Sequence, residues 1–400
     1  TAREKHRFPA HSIDSYTLIT ICLGCDQMRW KARVQRFEAQ SPSDLSAVDQ
    51  AAATGLLDAK RVIGVLGKTE GNGCVNDFTR GYATESVIQC LERHGAAHDA
   101  PAEERAVVVM SGGTEGCLSP HWIVFEKLPD DAPEQTEPRL AMAQAVTRAL
   151  MPEEIGTSVQ IQLVADAVRA AMEMASIDSA DDVHYVQVKC PLLTRQRIAE
   201  ANARGASTST TDTYKSMSYS RAASALGVGV ALDELDGKTP GELGPGICQD
   251  FDLYSSRAST SAGVELMHHE ILVLGNSRAW GGDLVIGHRV MKDAIDLDAV
   301  QGVLGDLGFE SSKQLSADDR DRLIAMLAKA EPSQTGTIRG ARHTMLDDSD
   351  IPATRHARAL VGGVLAAMVG DTRLFVSGGA EHQGPDGGGP VAAIARLKRP

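Results

Sequence analysis

Three short runs in this 400-residue chain carry a serine, a glycine and a glutamate at fixed spacing: Ser111-Gly-Gly-Thr-Glu115, Ser261-Ala-Gly-Val-Glu265 and Ser377-Gly-Gly-Ala-Glu381. Upstream of each lies a Ser/Thr-Arg pair opening a small-residue helical stretch: Thr79-Arg80, Ser220-Arg221 and Thr354-Arg355. Further upstream sits a lysine near the end of an apolar stretch, at Lys68, Lys189 and Lys329. Any one triplet alone reads as a solvated lysine, a Ser-Gly turn and an arginine on a neighbouring carboxylate. The order Lys, Arg, Ser occurring three times marks an internal repeat instead.

A serine hydroxyl is a weak nucleophile and needs a base within hydrogen-bond reach. Lysine serves when its ammonium is deprotonated, which burial and neighbouring cations favour. A nearby arginine pushes in that direction and also offers a fixed donor for a carbonyl or an oxyanion. Gly112 and Gly378, directly after two of the serines, let the backbone approach a ligand closely. Three such units around a pseudo-threefold axis make a cavity with three equivalent carbonyl-binding corners. A planar ring bearing three carbonyls suits that symmetry. One serine suffices as nucleophile, so at least two of the three are read as binding groups.

The elements that must position these residues follow from hydrophobic pattern. Val62–Leu66, Ala106–Met110, Trp122–Phe125, Val183–Val188, Ile271–Leu274, Leu374–Val376 and Val391–Ile394 read as strands. Amphipathic stretches at Ala83–Arg93, Ala141–Leu150, Ile161–Ala175, Ala222–Leu235 and Arg355–Met368 read as helices, with another from Asp44 to Ala59 capped by Ser43 or Asp44. Such alternation predicts α/β layers. Breaks at Pro129–Pro138 and Gly275–Asp283 divide the chain into three homologous domains, roughly 1–132, 133–278 and 279–400. The first 45 residues show no sustained period.

Composition bounds the rest. A net charge of −13 argues against binding nucleic acid, and no apolar run is long enough to cross a bilayer. The run Tyr16–Gly24 is short and follows Asp14, a poor signal peptide. Seven irregularly spaced cysteines predict reduced thiols and a cytoplasmic setting. Gly67-Lys68-Thr69 lacks the glycine a P-loop needs at Val62, and the chain has neither a Gly-x-Ser-x-Gly elbow nor a Ser-x-x-Lys motif. Cys22-x-x-Cys25 has no second ligand pair, and His268, His269 and His382 lack metal-ligand spacing. The glycine-rich run Glu381–Pro390 exposes carbonyl oxygens, which suits a hard cation with Glu331 as anionic ligand.

Longer motifs carry a family resemblance. Gly67-Lys-Thr-Glu-Gly-Asn-Gly-Cys-Val-Asn-Asp77, Ser111-Gly-Gly-Thr-Glu-Gly116, Val188-Lys-Cys-Pro-Leu-Leu193, Arg342-His-Thr-Met-Leu346 and Ser377-Gly-Gly-Ala-Glu-His-Gln-Gly-Pro385 resemble the cyanuric acid hydrolase and barbiturase family of ring-opening amidohydrolases. The resemblance runs from about Ser41 to the C-terminus. Pro9-Ala-His-Ser12 looks like the family's start, so residues of about 11–40 read as an inserted surface loop.

The resemblance implies three similar α/β domains in a threefold, wedge-like arrangement around a central site. It pairs Lys68 with Ser111, Lys189 with Ser261 and Lys329 with Ser377, and adds Arg80, Arg221 and Arg355, with Arg358 also near. Lys189 is implied as base and Ser261 as nucleophile; the other residues and Gly112 and Gly378 would bind substrate. The implied chemistry is ring opening through an acyl-enzyme, cyanuric acid giving carboxybiuret and then biuret and CO2. Cys74-Val-Asn-Asp-Phe-Thr-Arg80 resembles the cyanuric acid branch more than the barbituric acid branch, whose product is ureidomalonate. A structural Mg2+ or Ca2+ is implied at Glu331, Ala380, Gln383, Pro385 and Gly388, with no organic cofactor. The implied assembly is a homotetramer. The different-class alternative is a non-catalytic protein that binds imide rings.

Overall fold

The computed structural model describes residues 29–95, 100–133 and 136–398. The apolar runs become strands buried on both faces, which is why they read as continuous rather than alternating. The first group is β1 (Trp30–Glu38), β2 (Val62–Thr69), β3 (Val107–Gly112) and β4 (His121–Pro129). The second is β5 (Arg139–Val146), β6 (Val183–Pro191), β7 (Ala258–Gly263) and β8 (Glu270–Ser277). A two-residue strand follows, β9 (Trp280–Gly281). The third group is β10 (Leu284–Met291), β11 (Leu323–Ala330), the small hairpin β12 (Thr337–Ile338) with β13 (Ala341–Arg342), then β14 (Phe375–Gly378) and β15 (Gly389–Arg396).

The three main sheets share one strand order: β1-β4-β2-β3, β5-β8-β6-β7 and β10-β15-β11-β14, with β9 added beside β1. In each, the second and third of these four strands in chain order run parallel, joined through a helix, and the other pairings are antiparallel. The chain is an α/β protein of three similar units in a pseudo-threefold arrangement. One core joins all three sheets, with Leu66 and Ile123 from the first, Val186 and Leu272 from the second, and Leu327 and Ile394 from the third. Helices cover the other faces: Val87 and Leu91 pack on the first sheet, Val361 and Leu365 on the third. On the second, the helix Thr213–Ala231 begins at Asp212, whose carboxylate accepts from Tyr214 and Lys215 N–H. Its Gly227 lets it lie against the helix Ser158–Met174, where a Cβ would crowd Ile161 O and Val164.

Three expectations are corrected. Ala141–Leu150 is not a helix: Arg139–Val146 is strand β5, paired residue for residue with β8, and Leu140 through Ala143 are buried in succession. Residues 30–38 are not an inserted loop. They form β1, in register with β4 over nine pairs and tied to it by Arg33 on Glu126 at 2.7 Å. The helix expected from Asp44 to Ala59 spans only Ser46–Ala53, with Leu45 at the N-cap and the Asp44 carboxylate accepting from Ser46 N–H. Residues 11–28 of the expected insertion, with Cys22, Cys25 and Tyr16–Gly24, lie outside the described residues.

Candidate active site

The parallel pairing of strands does what the sequence could not show by itself. It sets Lys68 opposite Ser111, Lys189 opposite Ser261 and Lys329 opposite Ser377, each pair side by side on neighbouring strands. All three lysines are fully buried. The strand ends meet at a small central cleft with about 270 Å³ of empty space. Ser111, Gly112, Ser261, Ser377 and Gly378 line it, together with Arg80, Arg221 and Arg358. Gly73, Met110, Met217 and Ala262 complete the wall. A wider groove near Arg36 and Arg373 is a poorer candidate, because those arginines are spent on Asp371 and Glu38.

The contacts within the cleft run in a cycle. Lys68 Nζ donates to Val376 O at 2.6 Å, Lys189 Nζ to Met110 O at 3.0 Å and Lys329 Nζ to Thr260 O at 2.8 Å. Each acceptor is the residue just before the serine of a different sheet. Arginines form a second cycle that runs round the three sheets in the opposite sense. Arg221 clamps Glu381 with two bonds of 2.8 and 2.6 Å, and Arg358 clamps Glu115 with two of 2.9 and 2.7 Å. Arg80 reaches Ala262 O at 2.8 Å.

Arg355 departs from expectation. It meets Glu115 from the outer side at 2.7 Å and is 37% exposed, whereas Arg358 is 4% exposed and lines the cleft. The Thr-Arg dipeptide pointed one helical turn short; no sequence signal separates two arginines three residues apart on one helix face.

Electrostatics favour neutral lysine at two corners. Burial and then Arg358 push Lys68 well below its ordinary value; burial and then Arg221 push Lys329 down to about 7. The arginine that acts on each comes from another sheet. Lys68 and Lys329 lie 3.3 Å from their own serines. Lys189 differs, with its Nζ 2.6 Å from Glu265 Oε1. Burial works against ionisation of Glu265, but Lys189 and Arg80 together hold it down at about 2. The Ser261 hydroxyl bonds to that of Ser377 at 3.0 Å.

The sequence profile of the amidohydrolase ring-opening proteins matches residues 33–396. The chain belongs to that family. Among its ring-opening relatives, the cyanuric acid amidohydrolase of Ectopseudomonas oleovorans (strain CECT 5344) is 55% identical over 92% of this chain and 99% of its own. That of Pseudomonas sp. (strain ADP) is 49% identical over 91% and 98%. A solved cyanuric acid hydrolase, described as an innovation by structural concatenation, superimposes with a TM-score of 0.87 at 48% identity, covering 92% of this chain and all of that one. The enzyme from A. caulinodans gives 0.84 at 51%, with the same coverage. Like its ring-opening relatives, the chain is an amide-hydrolysing enzyme. The profile begins at residue 33, inside β1, so the likeness starts earlier than Ser41.

The expected cation contacts lie together after β11 and between β14 and β15. Glu331 is half-buried, with its Oε2 buried and unpartnered; burial and then Glu381 push its carboxyl up. Gln383 has given its amide oxygen to Thr260 N–H at 2.7 Å. Ala380 O accepts from Gln383 N–H and Pro385 O from Gly388 N–H, which leaves each carbonyl a lone pair. No helix among the described residues is long and apolar enough to cross a membrane.

Proposed function

We propose that this enzyme opens the ring of cyanuric acid by hydrolysis, through an acyl-enzyme on Ser261 with Lys189 as its base. The observation that carries the proposal is the register of three Lys–Ser pairs around one cleft, each corner supplied with an arginine. Neutral Lys189 takes the hydroxyl proton as Ser261 Oγ attacks a ring carbonyl. Ser111 and Ser377, with Arg80, Arg221, Arg358 and the backbone at Gly112 and Gly378, hold the other carbonyls and steady the oxyanion. As the C–N bond breaks, the Lys189 ammonium returns its proton to the ring nitrogen. Water then hydrolyses the ester to carboxybiuret, which loses CO2 to give biuret.

The same proposal treats residues 1–132, 133–278 and 279–400 as copies of one unit, which the shared strand order supports. A divalent cation fits the unpartnered Glu331 carboxylate, with the carbonyls of Ala380, Pro385 and Gly388 and Gln383 around it. It would neutralise buried charge and fix the loop behind Ser377, a structural role. A homotetramer in the cytoplasm is its expected state.

The test is product formation from cyanuric acid and from barbituric acid with wild type and Ser261→Ala. Turnover of cyanuric acid that vanishes in the variant supports substrate and nucleophile together. Turnover of barbituric acid alone moves the enzyme to the sister reaction, and activity surviving in Ser261→Ala discards the nucleophile.

A further inference from the structure

The glutamate of the thrice-repeated Ser-x-Gly-x-Glu run has one job in two sheets and another in the third. Glu115 and Glu381 are each clamped by a buried arginine from a different sheet. By the same cycle Glu265 should hold Arg80. It does not, because Arg80 is engaged by Ala262 O and Cys74 O and lies 3.7 Å from Asp77, an acid of its own sheet's loop. Glu265 is left for Lys189, at 2.6 Å.

The local backbone is built for this. Glu265 folds back over Gly263, where any Cβ would run into its carboxylate. Arg197 grips the turn from the far side, donating to Val264 O at 2.8 Å, Leu266 O at 3.3 Å and Leu192 O at 2.6 Å. The charged and titratable groups facing the pair are therefore Arg80 and Asp77 from the first sheet's helix and loop, Arg197 from the helix Arg195–Ala203, and the buried Cys190 thiol.

We propose that Glu265 is a positioning residue that makes the second Lys–Ser pair chemically unlike the other two, by stabilising the Lys189 ammonium created when Ser261 gives up its proton. This rests on the assignment of Lys189 and Ser261 above. In the balanced step, the Ser261 O–H bond breaks and a Lys189 N–H bond forms. The ammonium waits on the Glu265 carboxylate and then passes its proton to the leaving ring nitrogen. The same carboxylate lies 2.6 Å from the resting lysine, so its removal touches the resting enzyme as well as the proton-transfer step.

The experiment is the pH profile of cyanuric acid turnover in Glu265→Gln, Glu265→Asp and Glu115→Gln. In E265Q the acid limb of kcat/KM moves to lower pH by about one to three units, while kcat at the plateau falls at least about tenfold. E265D keeps the charge and returns the limb toward its wild-type position. E115Q, which loosens the Arg358 clamp, raises KM and leaves the limb in place. An E265Q enzyme that behaves like E115Q, or a limb displaced equally in E265Q and E265D, overturns the proposal. Full activity in Ser261→Ala would instead overturn the underlying assignment, and so separates the two failures.

Discussion

Ser261 Oγ lies 3.0 Å from Ser377 Oγ, a hydrogen bond between hydroxyls carried by two different sheets. Ser377 is itself 3.3 Å from Lys329 Nζ, so the second sheet's serine is oriented by the third sheet's pair. Removing the Ser377 hydroxyl leaves Ser261 free to rotate. Ser377→Ala should lower kcat/KM for cyanuric acid by about 10- to 100-fold, short of the near-total loss in Ser261→Ala. Ser111→Ala, outside that bond, should act mainly on KM. Steady-state kinetics on the three variants checks the ranking.

Arg358 and Arg355 share Glu115 but not the cleft. Arg358→Ala removes a buried donor from the substrate wall and should cost about 10²–10³ in kcat/KM. It should also lower the melting temperature, since it strips Glu115 of its buried partner. Arg355→Ala breaks a half-exposed pair worth about 0–1 kcal/mol and should change kcat/KM less than about tenfold. Equal effects from the two would place both at the substrate.

Acid should unfold the protein through its clamped carboxylates. Burial opposes ionisation of Glu115, but Arg358 and Arg355 hold it at about 2; Glu265 stands at about 2 through Lys189 and Arg80. Both lie below the ordinary value of about 4.3. Their stabilisation is therefore fully present above about pH 4.5 and is lost as pH falls toward 2. Melting temperature followed from pH 7 to 2 should fall steeply in that window, and Glu115→Gln should start lower and show a shallower fall.

The unpartnered oxygen of Glu331 should respond to divalent cations. Ca2+ or Mg2+ in hundredfold excess over its dissociation constant should add about 2.7 kcal/mol of stability, raising the melting temperature by several degrees, with EDTA reversing it. Glu331→Gln should abolish the response. A melting temperature indifferent to both cations and chelator would remove the cation from the loop.

Much of this architecture was legible in the residues. The Lys, Arg, Ser order recurs because each sheet repeats one strand order, and the apolar runs at Val62, Val183 and Ile271 marked strands whose two buried faces leave a continuous signal. Ala141–Leu150 was not legible. Its Ala, Met and Gln favour a helix by propensity, and the stretch is held extended by β8 alongside and core on both sides. β1 did carry a signal, since Trp30, Ala32 and Val34 alternate with Lys31, Arg33 and Gln35. Which arginine depresses which lysine was beyond the sequence, because Arg358 acts on Lys68 and Arg221 on Lys329 across sheets. Proximity of that kind exists only after the three sheets meet.

Each lysine gives a hydrogen to a carbonyl that another sheet supplies, Val376 O for Lys68, Met110 O for Lys189 and Thr260 O for Lys329. An excised unit would strand its lysine with one acceptor missing and its serine without the wall that faces it. Reactivity is therefore a property of ring closure, absent from any third of the chain taken alone. A substitution that only loosens the seam between two sheets should silence the enzyme while leaving every strand intact. Recombining equivalent units from relatives should succeed or fail on those seam carbonyls before any catalytic side chain is touched.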